Sequence, residues 1–360
     1  MNFIVTAGGQ GTKIWPMSRE HKPKQFQNIV GQSTLYRRQI QSLLKAYSPD
    51  KIFISTKAQY VKYVQEQSPE IPEENIIIEP EYKKNRGPGE GYAFLKLADR
   101  KPNEPFMIIQ SDVIREPEEK FLEMIAVAEE LQIKHRKMIT AGQKATSPSL
   151  GIDYLRLGSQ ISEIDNIDVY YIDEFIERLD DYEKTKNLVQ NFHISTHANH
   201  LCWFPELILD AYEKYRPDWF EALMKIRDSF GKEAEKSITD EIYKNMQEGA
   251  TEEVTRNIMN SGEAMLILTP FRWIDVGTWS SIYDELAIPG ENYIDGEVIA
   301  IDTERTLIKG PKGKLITALG IEDLVIVDTE DALLVMRKEK AGDIKTILKK
   351  LEEEGKESFL

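Results

Sequence analysis

Three glycines in four positions, Gly8, Gly9 and Gly11, come just after Met1 to Thr6, which reads as a short buried strand. Glycines placed just after a strand let the backbone approach a ligand closely and turn several N–H groups toward one anion. Thr12 and Lys13 follow, and then Trp15-Pro16-Met17-Ser18-Arg19 and Pro23-Lys24-Gln25-Phe26. Lys13 and Lys24 bring two mobile positive charges to the same region. Glycine backbone and paired ammonium groups suit a nucleoside triphosphate. A glycine-rich turn with surface lysines is the alternative, and it leaves the Trp-Pro and Pro-Lys-Gln-Phe segments without a purpose. Neither Gly-x-x-x-x-Gly-Lys-Ser/Thr nor Gly-x-Gly-x-x-Gly occurs in this run.

Two aspartates complete a phosphate-handling set. Asp112 follows the β-prone run Phe106 to Gln110, the end of a strand where α/β proteins place functional carboxylates. Asp275 lies in Trp273-Ile274-Asp275-Val276-Gly277, after the apolar run Met265 to Leu268. A hard cation such as Mg²⁺ takes one or two carboxylates together with phosphate oxygens. Taken singly, either aspartate could instead cap a turn. His193, His197 and His200 do not match the spacing of a closed tetrahedral metal site and read as polar loop residues.

These segments resemble the sugar-1-phosphate nucleotidyltransferases, and Trp-Pro-x-Ser-Arg with Pro-Lys-Gln-Phe is most similar to the mannose-1-phosphate guanylyltransferases. The resemblance implies formation of GDP-mannose and pyrophosphate from GTP and a hexose-1-phosphate, with Mg²⁺. It implies Lys13, Lys24 and Asp112 as catalytic residues and Asp112 with Asp275 as metal ligands. Gly8, Gly9, Gly11, Thr12, Asn85 and Pro88 would bind the nucleotide. Gly151, Glu177, Arg178 and Asn199 would bind the sugar. The chain departs from the family where Lys13 and Arg178 stand for arginine and lysine, where Val113 follows Asp112, where Asp153 adds a carboxylate, and around 197–200. The departures gather on the sugar side. They leave two further readings open: an enzyme for another sugar-1-phosphate, or a catalytically impaired regulatory or scaffold homologue that binds a GDP-sugar. Retention of Lys24, Asp112 and Asp275 favours an enzyme.

The elements that must position these residues alternate along the chain. Runs at 52–55, 76–79 and 106–109 read as strands, and amphipathic stretches lie between them. Ser33 reads as a helix N-cap, and 57–66 and 117–132 as helices. Residues 134–178 are strand-rich and 205–261 mainly helical. This is an α/β pattern, and with the resemblance it implies a Rossmann-like mixed sheet with helices on both faces over 1–287. After 288, closely spaced β runs separated by Asp295-Gly296 and Gly310-Pro311-Lys312-Gly313 precede a charged helix at 339–352. The resemblance implies that 288–360 is a small left-handed β-helix module that often contributes to a dimer, so a homodimer is expected. The chain ends soon after these β runs, and no companion isomerase domain is expected.

The 360 residues are 41% apolar and carry a net charge of −15, which argues against a nucleic-acid partner. One cysteine, Cys202, excludes an internal disulfide. No apolar run reaches the ~18–20 residues of a membrane span, and the first residues read as a core strand rather than a leader. A cytoplasmic location without membrane partners is expected.

Overall fold

The computed structural model describes every residue except Gln10 and Asp165, and every side chain except those of these two, Ser162 and Glu163. Ten strands form the main sheet: β1 (Asn2–Thr6), β2 (Ile52–Lys57), β3 (Ile76–Glu79), β4 (Phe106–Gln110), β6 (Met138–Gly142), β7 (Tyr154–Ile164), β8 (Ile167–Ile176), β9 (Ile194–Thr196), β10 (Cys202–Trp203) and β11 (Ala264–Leu268). Their order is β3-β2-β1-β4-β10-β6-β11-β8-β7-β9. The β3-β2-β1-β4 half is parallel, so these strands end at one edge, where the glycine run begins. The short strand β10 runs antiparallel to β4 and β6, and β7 and β8 form a long hairpin. A separate two-stranded ribbon pairs β5 (Val113–Glu116) with β12 (Arg272–Asp275).

Side chains alternate across the sheet and seed two cores. Ile4, Phe53, Ile108 and Leu266 face a cluster completed by α3 (Arg86–Arg100), α6 (Pro205–Tyr215), α7 (Pro217–Arg227) and α9 (Glu252–Met259). Phe3, Val5, Ile109 and Ile267 face the other, closed by α1 (Leu35–Leu44), α2 (Val61–Gln67) and α4 (Glu119–His135). Helices thus cover both faces. The N-cap of α1 is Thr34, whose hydroxyl accepts from the Arg37 N–H at 3.1 Å, and not Ser33. Two more helices are α5 (Tyr182–Asn191), whose Leu188 packs with Tyr154 of β7 and Ile194 of β9, and α8 (Glu235–Asn245), which packs on α7. None of the described helices is long and apolar enough to cross a membrane.

Beyond α10 (Trp279–Leu286) the chain coils. Strands β13 (Tyr293–Asp295), β15 (Leu307–Lys309) and β17 (Leu324–Asp328) stack in parallel, and β18 (Leu333–Arg337) closes that sheet antiparallel to β17. Strands β14 (Glu297–Ile301) and β16 (Leu315–Leu319) pair in parallel as a second sheet. Helix α11 (Ile344–Glu353) follows. Leu307, Val325, Val327, Leu334 and Ile344 share one apolar cluster with Ile14, Trp15, Ile114, Val276 and Trp279, so the coil's interior continues beneath the β5–β12 ribbon.

Candidate active site

Antiparallel register on the ribbon explains how two aspartates 163 residues apart in sequence meet. Asp275 pairs with Val113, the neighbour of Asp112. Lys24, only 7% exposed, extends beneath them. Its Nζ lies 2.9 Å from Asp112 Oδ2 and donates to the Val276 carbonyl at 2.8 Å. Asp275 is reachable by solvent but crowded, and this partial burial raises its carboxyl above the ordinary value. The Asp112 charge adds to the rise, while Lys24 and Lys13 oppose it. All four predicted groups therefore share one electrostatic neighbourhood.

The glycine run sits over this group. Gly11 adopts a left-handed conformation (φ 61°, ψ 36°) as it opens the short 3-10 helix Thr12–Ile14. A Cβ there would lie 2.6 Å from Lys24 Cγ, so only glycine lets the loop rest on the lysine stem. Gly8 passes Glu79 at the end of β3 as closely, because a Cβ would fall 2.9 Å from its carboxylate oxygens. Burial pushes the Glu79 carboxyl up, and Ser55 donates to it at 2.7 Å. Lys13 is exposed at the loop's outer side.

Three contributors were not tied to this loop by the sequence. Gln25 is 2% exposed, and its Nε2 donates to the Ala7 carbonyl at 3.0 Å and to the Gly9 carbonyl at 2.9 Å. Both carbonyls are thereby held from below by one side chain. Thr56 Oγ1 also donates to the Ala7 carbonyl, at 3.1 Å. The signal for Gln25 was a polar residue inside an otherwise core-like run next to Lys24. Glu79 and Thr56 carried no such signal, because their closeness to the loop depends on strand order.

The remaining predicted residues divide into two groups. Pro88 is buried in the first turn of α3, and Asn85 precedes that turn, exposed at φ 61° with its Nδ2 3.5 Å from Glu248. Gly89, one residue on, faces Glu79 Oε2 and brings the start of α3 beside the glycine loop. Of the residues expected at the sugar, Gly151 occupies an exposed turn. Arg178 donates its N–H to Asp153 Oδ1 at 2.9 Å and its guanidinium pairs with the same carboxylate, so the unexpected carboxylate at 153 serves the arginine. Glu177 is ion-paired with Arg256. The Asn199 carbonyl accepts from Gln110 at 2.8 Å. Asn199 borders a cavity of about 10 Å³ lined also by Arg86, Glu90, Thr140 and His197.

The histidines lie in the irregular segments before and after β9, as the sequence suggests, but two of the three turn inward. His200 is buried, its ring 4.7 Å from that of Trp273 and Nδ1 3.3 Å from the Ile108 carbonyl. His197 stacks edge-on against Phe175, and burial depresses its pKa. Only His193 is exposed, its ring edge-on to Tyr170. Among the described residues no three His, Cys, Asp or Glu side chains are grouped to hold a metal by themselves. Asp112 and Asp275 nevertheless suit a hard divalent cation that takes its other ligands from phosphate. Gly277 keeps the approach to Asp275 clear, since a Cβ there would lie 2.6 Å from Oδ2.

The chain is similar to known proteins along its length. Residues 2–191 match the nucleotidyl transferase family, and 296–351 match the MannoseP isomerase/GMP-like beta-helix domain. The chain is 25% identical to the alginate biosynthesis protein AlgA of Pseudomonas aeruginosa, over 98% of this chain and 72% of that protein. It is 26% identical to the mannose-1-phosphate guanylyltransferase of Escherichia coli K12, over 98% and 74%. The crystal structure of mannose-1-phosphate geranyltransferase from Thermus thermophilus superposes with a TM-score of 0.85 at 21% identity, covering 98% of this chain and 99% of that one, and shares the fold. With more than half its length matched and the glycine loop, lysine and aspartates assembled at one strand edge, the chain belongs to the nucleotidyl transferase family.

Proposed function

We propose that this protein is a Mg²⁺-dependent mannose-1-phosphate guanylyltransferase. An oxygen of the sugar phosphate attacks the α-phosphorus of GTP, the bond to the bridging oxygen of the β-phosphate breaks, and pyrophosphate leaves as GDP-mannose forms. The observation that carries this reading is the placement of Lys24 between Asp112 and the Val276 carbonyl, directly beneath the left-handed Gly11. Such a reaction asks for alignment and charge neutralisation rather than covalent help from the protein.

Backbone N–H groups of Gly8, Gly9 and Gly11 and the hydroxyl of Thr12 cradle the triphosphate. Lys13 covers the departing pyrophosphate, and Lys24 neutralises charge where nucleophile and α-phosphate meet. Asp112 and Asp275 would hold Mg²⁺, which supplies charge neutralisation at the phosphates. Asn85 and the first turn of α3, with Pro88, face the base. Gly151, Glu177, Arg178 and Asn199 line the sugar side. Guanine and mannose are proposed because relatives from Escherichia coli and Klebsiella pneumoniae carry that name.

The protein is proposed to work in the cytoplasm, where its buried free Cys202 stays reduced. It is proposed to pair with a second copy through the β-helix, where Ile299, Ile301, Leu315 and Leu319 are exposed on the β14–β16 sheet. The test of the reaction is pyrophosphate release with Mg²⁺ from four nucleoside triphosphates against mannose-1-phosphate, glucose-1-phosphate and other hexose- or heptose-1-phosphates. Release confined to GTP with mannose-1-phosphate is expected. Release with a different pair would reassign the substrate, and silence across the set from protein that binds GTP or GDP-mannose would make it a regulatory subunit.

A further inference from the structure

The segment that follows Lys13 is gripped from the far end of the chain. Arg19 is 7% exposed, and its guanidinium donates to the carbonyl of Phe359 and pairs with Asp331 at 2.8 Å. Trp15 Nε1 donates to the same Phe359 carbonyl at 2.8 Å, and the guanidinium lies 5.3 Å from the Trp15 ring centroid. One N-terminal stretch is thereby fixed to two separate parts of the C-terminal module, the turn after β17 and the short 3-10 helix Glu357–Phe359. Helix α11 of the same module packs on Thr12–Ile14, the turn that carries Lys13.

The grip also reaches the aspartates. The carbonyl of Trp15 accepts from Trp279 Nε1 at 2.9 Å, and Trp279 begins α10 four residues after Asp275. Ile14, Trp15, Val276, Trp279, Leu334 and Ile344 lie in one apolar cluster. A glycine-rich loop is costly to order around a ligand, and a loop already fixed at its exit loses less freedom on binding. The signature Trp-Pro-x-Ser-Arg thus has Trp15 and Arg19 turned toward the module rather than toward the phosphate side.

We propose that Arg19 is a positioning residue: with Trp15, Asp331 and the Phe359 carbonyl it clamps the C-terminal module onto the exit of the glycine loop and thereby sets nucleotide affinity. The proposal rests on the triphosphate reading of that loop. The experiment compares Arg19→Met, Asp331→Asn and their double variant with the unaltered protein. It measures GTP affinity by calorimetry without sugar phosphate, separate KM values for GTP and mannose-1-phosphate, and thermal unfolding.

Loss of a charge-assisted clamp should weaken GTP binding about tenfold in Arg19→Met and about threefold in Asp331→Asn. The KM for the sugar phosphate should stay within about twofold, because the loop exit does not face it. The double variant should match Arg19→Met, since Asp331 acts through the same guanidinium. Unchanged GTP affinity in Asp331→Asn, whose side chain is half-exposed and whose loss spares the core, would overturn the clamp while leaving the reaction intact. Equal loss of both substrates together with a lowered melting point would overturn it as well, by assigning Arg19 to general stability. An unaltered protein that binds no nucleoside triphosphate would overturn the reaction and the clamp together.

Discussion

Replacing Lys24 by methionine isolates the charge at the centre of the site. The thioether side chain keeps an aliphatic stem against Gly11, whose backbone needs that contact, and removes only the ammonium. Two interactions go with it, the ion pair to Asp112 at 2.9 Å and the hydrogen bond to the Val276 carbonyl at 2.8 Å. A hydrogen bond to a charged group is worth about 1.5–3 kcal/mol. Little of this appears as lost stability, because water can reach the half-exposed Asp112 and replace the ammonium there. In the proposed turnover the balance differs: negative charge would build up where the ammonium points, and a pre-placed donor of this kind contributes about 2.7–4 kcal/mol to the barrier. The expected result is a folded protein whose kcat for pyrophosphate release from GTP and mannose-1-phosphate falls by a factor of ~10²–10³. Circular dichroism and GTP binding serve as controls for folding. Turnover within about threefold of the unaltered protein would refute the placement of Lys24 at the reacting phosphate, because no charge-stabilising group there is worth so little.

Gly11→Ala places a Cβ 2.6 Å from Lys24 Cγ at φ +61°, costing about 1–2 kcal/mol in backbone strain before Lys24 shifts, so GTP affinity should fall at least about tenfold in a titration. Gln25→Leu removes both donors to the Ala7 and Gly9 carbonyls while keeping the volume; the KM for GTP should rise about tenfold, and an unchanged KM would show that the loop holds its shape without them. His197 has a folded-state pKa held below its ordinary value of 6.5, by burial first and then by Arg86. The unfolded chain therefore binds the proton first, so this contribution to stability is complete above pH 6.5 and is lost as the pH falls toward the folded value, by about 1.4 kcal/mol per unit of depression. Urea titrations across that window should show His197→Gln flattening the pH dependence of stability.

The strand edge and its chemistry were legible because they are local. A six-residue strand run, a glycine turn, and both Lys13 and Lys24 lie within 24 positions, and near-neighbour chemistry survives in any fold that keeps the strand. The alternation of β runs and amphipathic helices likewise reports burial directly, since period 2 and period 3.6 arise from the backbone itself. Capping positions were less legible. Ser33 and Thr34 are both good caps, and only the backbone decides which hydroxyl reaches the Arg37 N–H. The histidines do lie in irregular segments around β9, but the sequence is silent on which of them is buried. The short strand β10 between β4 and β6 draws the last of them into the core.

The sequence alone determined which groups are available: glycines able to approach an anion, ammonium groups to neutralise it, and carboxylates able to hold a hard cation. Tertiary structure decided which of them meet. Asp112 and Asp275 are neighbours only through the register of β5 with β12, Glu79 reaches Gly8 only because β3, β2 and β1 are parallel, and Arg19 finds Phe359 across 340 positions only because the C-terminal coil folds back. Contacts at such separations depend on pairings between distant segments, and each of those segments has its own local pattern that is silent about its partner.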